Sequence, residues 1–134
     1  MEKINSKVND KLISSVLKKS EISSYRTDMS PNEEFLQVCG RSLSEGTYVK
    51  PHKHKTIIRE INTTQESWVV IEGEIEVGVF DIDNELLQTI LIKSGDCITF
   101  YRGGHSLLSL KDNTIFYEFK IGPYYGYEKD KENI

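Results

Sequence analysis

Along residues 6 to 19, Val8, Leu12, Val16 and Lys19 fall on one line with Ile13 and Leu17 beside it, the repeat of an amphipathic helix. Asn5 or Ser6 stands where an N-cap belongs. The spacing predicts one opening helix, packed as a lid on the outside of the body or on a partner subunit. The polar stretch Ser23–Glu34, with Pro31 inside it, reads as a linker. From Phe35 to Gly122 the texture changes to short runs rich in Val, Ile, Phe, Tyr and Thr. Turn signals separate them at 45–46, 62–65, 82–84, 94–96, 102–104 and 111–113. Short strands at that spacing predict an all-β sandwich or barrel, and the lack of alternating long helices argues against a parallel α/β sheet. The organisation expected is therefore a helix and linker over 1–34, a β-barrel over 35–122 and a tail over 123–134. The tail, aromatic and then charged, is expected to pack by its tyrosines and to fray at its end.

Composition narrows this picture. A chain of 134 residues has the length of one domain able to close its own core. Its 17 basic residues are outnumbered by 21 acidic ones and scattered along the chain, which argues against a nucleic-acid partner. No apolar run is long enough for a membrane span, and the start lacks the apolar core of a signal peptide, so no membrane partner and a cytoplasmic address are expected. Cys39 and Cys97 sit in apolar stretches without CxxC spacing and read as buried thiols. Asp81, Asp83, Asn84 and Glu85 lack the spacing of an EF-hand loop and read as a turn.

The candidate chemistry lies in the histidines. His52 and His54 are two residues apart in TYVKPHKHK, which reads as a strand, so both imidazoles leave one face. That arrangement chelates borderline divalent ions. His105 follows the glycine pair of YRGGHSLL, where the backbone is free to bend and aim a side chain inward. Tyr48 and Lys50 share strand parity with the two histidines, and Trp68 shares it with Glu66, so these are candidates to line the same cavity. Arg59, Arg102 and Tyr101 are candidates to meet an anionic substrate at its mouth.

Gly46-TYVKP-His52-Lys53-His54, Glu66-SWVVIE-Gly73 and Gly95-DCITF-Tyr101-Arg102-Gly103-Gly104-His105 together resemble the two signature motifs of the cupin superfamily. The spacing from Gly46 to His54 and from Glu66 to Gly73 matches without change. More narrowly, GTYVKPHKH with the late YEFKIGPYYGYEKDKE looks like the small WbuC-type cupin-fold metalloproteins associated with bacterial polysaccharide genes. The resemblance implies a double-stranded β-helix, or jelly-roll-like, barrel holding one divalent metal ion (Fe, Mn, Ni or Zn) on His52, His54, Glu66 and His105. The sequence departs from the superfamily pattern in three places. Eleven residues separate His54 from Glu66, which makes Glu60 a rival ligand; Tyr101 stands in place of a proline; and His105 comes one residue early.

The function expected from this resemblance is metal-dependent isomerase or epimerase chemistry on a small polar molecule such as a carbohydrate or nucleotide-sugar intermediate. The ion would act as Lewis acid, with Glu60 or Tyr101 as the base. An Fe(II) dioxygenase and a non-catalytic sugar- or anion-binding module are the alternatives. A homodimer is the expected assembly.

Overall fold

The computed structural model describes residues 1–134, in which ten strands account for nearly all regular structure. The strands are β1 (Glu2–Asn5), β2 (Leu12–Leu17), β3 (Thr27–Asp28), β4 (Cys39–Gly40), β5 (Glu66–Glu72), β6 (Glu74–Phe80), β7 (Leu86–Lys93), β8 (Cys97–Phe100), β9 (Gly104–Ser109) and β10 (Ile115–Lys120). A single helical turn, α1 (Tyr127–Asp130), lies in the tail. No helix is long and apolar enough to cross a membrane.

The strands form a five-stranded sheet in the order β1-β2-β8-β5-β10, a three-stranded sheet in the order β7-β6-β9, and the small β3-β4 ribbon. Every pairing is antiparallel. The two larger sheets bury one aliphatic and aromatic cluster. Ile4, Ile13, Val16, Trp68, Val70, Ile98 and Phe100 come from one sheet, and Ile75, Val77, Val79, Ile90 and Ile92 from the other. Each of these side chains contributes on the order of 1.5–3 kcal/mol by leaving water. The ribbon covers part of the opposite face of the larger sheet, where Leu17, Met29 and Cys97 pack with Ile22, Val38 and Val69.

The all-β class expected from the sequence is present. A closed barrel is not: β9 pairs only with β6 and β10 only with β5, so the two sheets remain open along those edges.

The opening helix is corrected to a β-hairpin. Ser6 uses its capping chemistry, but in a tight loop: its hydroxyl accepts from the N–H groups of Val8 and Asn9, and its own N–H reaches the Lys11 carbonyl at 2.8 Å. Asp10 then turns through a left-handed conformation at φ 60°, which stops helical propagation. The following residues are buried on both faces of a strand, with Ser14 Oγ donating to the Thr99 carbonyl at 2.9 Å. The helical spacing of Val8, Leu12 and Val16 loses because the edge of β8 offers β2 a ladder and a core that an isolated helix lacks. The helix-and-linker boundary at residue 34 dissolves with it, since β1 and β2 belong to the larger sheet.

The strand expected at TYVKPHKHK is likewise not formed. All residues from Arg41 to Asn62 are exposed and carry no strand. Of the two thiols, Cys97 is buried and Cys39 half-buried.

Ile13 and Ile98 are fully buried partners of the main cluster. Ile13→Ala and Ile98→Ala are each expected to lower stability by about 2–5 kcal/mol in urea unfolding. An outer lid helix would make the first of these changes far milder than the second.

Candidate functional site

β5 starts inside the molecule, and this decides where the site lies. Glu66, its first residue, stands opposite Phe100 on one neighbour and Lys120 on the other, and Trp68 stands opposite Ile98 and Glu118. The two-residue strand period puts Glu66, Trp68 and Val70 on the face that meets the smaller sheet. On that smaller sheet His105 of β9 lies opposite Val79 of β6. Gly103, at φ 71°, makes the bend that delivers His105 to the strand. A Cβ at Gly103 would collide with the Phe80 carbonyl oxygen, so only glycine fits.

Two residues remote in sequence are thereby brought together: His105 Nε2 lies 3.7 Å from Glu66 Oε1. The indole N–H of Trp68 donates to the same carboxylate oxygen at 2.6 Å. The imidazole stacks on Phe100 with ring centres 4.2 Å apart and meets the edge of Trp68 at 5.0 Å. These residues form one wall of a cleft of about 880 Å³. Arg102 also lines it, as do residues of the C-terminal tail.

Burial sets the charge state of the pair. It drives the His105 imidazole down to about pH 4, with the Lys131 ammonium pushing the same way, so the ring is neutral at neutral pH. Burial likewise raises the Glu66 carboxyl, the Trp68 hydrogen bond opposes that, and the Glu118 charge adds to it. The 3.7 Å contact therefore joins a neutral imidazole to the Glu66 carboxyl group and is not an ion pair. The other ring nitrogen, Nδ1, is buried without a hydrogen-bond partner. A neutral imidazole is the form that ligates a metal or accepts a proton.

The remaining candidates are distributed differently. His52 and His54 lie in the exposed stretch, their ring centres 5.7 Å apart, with His52 Nδ1 against the Lys50 carbonyl oxygen at 2.9 Å. Neither lines the cleft, and no three His, Cys, Asp or Glu side chains stand close enough to hold a metal ion. Tyr48, Lys50, Arg59 and Glu60 share that exposed stretch. Tyr101 turns to the opposite face, where its buried hydroxyl lies within hydrogen-bonding distance of the Met29 carbonyl and of Ser30 Oγ. Arg102 reaches the cleft but its guanidinium is engaged, donating to Glu34 Oε1 at 2.6 Å and to the Leu12 carbonyl.

Sequence reasoning missed Phe100, Glu118, Lys120, Asp130 and Lys131. The signal for two of them was present in IFYEFK: Phe116 packs against the core, and Glu118 and Lys120 follow it at strand period and so share its face.

The unfolded His105 imidazole takes a proton near pH 6.5 and the folded one near 4. In that window the unfolded state binds more protons, so the contribution of His105 to stability is complete above 6.5 and is lost as pH falls toward 4. Glu66, raised in the fold, acts in the opposite sense. The His105 ring is expected to titrate near 4 in an NMR pH series. His105→Asn should flatten the acid limb of stability between pH 6.5 and 4; an unchanged limb would assign it to other groups.

No curated protein and no solved structure matches the chain. Residues 11–92, which run from the turn before β2 into β7 and include Glu66 and Trp68, match the model of a family described as a domain of unknown function (DUF6016). The chain belongs to that family.

Proposed function

We propose that this is a metal-binding protein of the cupin type, in which His52, His54, Glu66 and His105 share one divalent ion (Fe, Mn, Ni or Zn) beside a cleft for a small polar molecule such as a sugar derivative. The observation that carries the reading is the meeting of Glu66 and His105. Two motif residues from different sheets converge on one wall of the cleft against Trp68 and Phe100, the imidazole neutral and its Nδ1 unpartnered. Keeping polar groups out of water without a full set of partners is costly, and titratable groups perturbed in this way within a cleft mark a candidate functional site. The cleft volume, about 880 Å³, falls within the range of small-molecule sites.

Glu66 and His105 supply half of the donor set, and the HxH pair must come to them. No hydrogen bond ties residues 43–64 to the rest of the protein, although Leu43, Tyr48, Val49, Ile57, Ile58 and Ile61 are exposed there. The free edge of β9, one of the two edges of the smaller sheet and the one that carries His105, offers hydrogen-bonding positions to an added strand. Residues 47–54 laid along it would turn His52 and His54 to one face, extend that sheet to four strands and move the sandwich toward the closed cupin barrel.

Isomerisation or epimerisation of a carbohydrate or nucleotide sugar is the reaction class proposed for this cleft. Turnover of a saturating sugar nucleotide would separate it from a non-catalytic binding module.

Protein purified without chelator or metal resin is expected to carry about one divalent ion per chain by elemental analysis. His52→Ala with His54→Ala should lower its affinity at least tenfold. Added metal should protect the amides of residues 47–54 from hydrogen exchange. No uptake of Fe, Mn, Ni or Zn by the unaltered chain would overturn the reading.

A further inference from the structure

The cleft over Glu66, Trp68 and His105 has a wall that belongs to neither sheet. Tyr127, Asp130, Lys131, Glu132, Asn133 and Ile134 line it, so the chain leaves β10, reverses and lies back across its own cleft.

Three contacts hold it there. Lys120 Nζ donates to Asp130 Oδ2 at 2.8 Å, with both side chains largely out of water. The same ammonium sits 4.2 Å from the centre of the Tyr124 ring, within reach of its π face. The Ile134 side chain fills the space left by Gly104, where a Cβ would collide with Ile134 Cδ1. Lys131 lines the cleft together with Glu66 and His105, and its charge acts on both.

The segment is otherwise independent of the fold. None of its residues belongs to either buried cluster. Tyr124, Tyr125 and Tyr127 remain exposed, and its four-residue helix is too short to be stable alone. Its position therefore depends on contacts that can break without opening the core, which is how low-stability segments over binding sites behave.

We propose that residues 124–134 form a strap that closes the cleft over Glu66, Trp68 and His105, latched by the Lys120–Asp130 pair and seated by Ile134 on Gly104. Solutes reach the three residues when the strap swings away. The strap is defined by the cleft geometry and does not depend on whether an ion binds to the histidines.

Trp68 is the one tryptophan of the chain and is 4 % exposed, so its emission reports the state of the cleft. The test compares the metal-free full chain with a chain ending at Gly126, with Asp130→Asn and with Gly104→Ala, using acrylamide quenching. In the shortened chain the quenching constant is expected to rise about threefold or more and the emission maximum to move to longer wavelength, with the urea midpoint nearly unchanged. Asp130→Asn and Gly104→Ala should give intermediate quenching. Quenching equal to that of the full chain in a folded shortened chain overturns the proposal. Loss of the fold on shortening overturns it as well, because a strap is dispensable to the core. Neither result bears on metal uptake, which is read separately by elemental analysis.

Discussion

The packing of the five-stranded sheet on the three-stranded one is the constraint from which the other features follow. Ile75, Val77, Val79, Ile90 and Ile92 on one side and Val16, Trp68, Val70, Ile98 and Phe100 on the other leave water together. A dense interior of this kind fixes the strands that carry it. With β5 and β6 joined through Gly73 and each held in its own sheet, the start of β5 must face the start of β9. Glu66 meets His105 for that reason, without any direct attraction of the size of an ion pair.

The same packing sets the chemistry of the pair. Phe100 and Trp68 present apolar faces and edges to the imidazole and exclude water from it, which favours the neutral ring. Glu66 has one strong donor, the Trp68 indole, and beyond it the charges of Glu118 and Lys131 pulling in opposite directions. An apolar wall carrying a small number of polar groups with unspent hydrogen-bonding capacity is the usual character of a ligand site. Arg102 and Tyr101, attractive as substrate contacts on paper, spend their capacity on Glu34, Leu12, Met29 and Ser30 and so tie the hairpin and the linker to the sheet.

The exposed stretch from Arg41 to Asn62 is the complement of the open edge of β9. From Leu43 onward one presents exposed apolar side chains and a backbone with no hydrogen bond to the rest of the protein, and the other presents a row of unused ladder positions. Open edges invite pairing, and proteins cover them or use them. The C-terminal segment answers part of the same need from another direction by lying over the cleft next to this edge.

Alternating Val, Ile, Phe and Tyr between turn signals was enough to announce an all-β chain, because strand period and turn chemistry are local properties. The motif spacing also singled out Glu66 and His105, and strand parity joined Trp68 to the first of them. Local pattern misled at residues 6–19: Ser6 caps a loop, and the helical spacing of Val8, Leu12 and Val16 yields to a strand once β8 supplies a partner edge. It misled again at TYVKPHKHK, where alternation is legible but a strand exists only if something pairs with it. Which charges act on the pair was also a tertiary matter. Glu118 and Lys120 come near Glu66 and His105 because β10 joins β5 in one register, and Lys131 reaches the cleft because the tail folds back. The all-β class and the identity of the reactive side chains are legible along the chain, because they rest on single residues and their near neighbours. Which segments become strands at residues 6–19 and 47–54, which side chains meet and which lose contact with water are settled in three dimensions, because all of these depend on pairings between segments far apart in the chain.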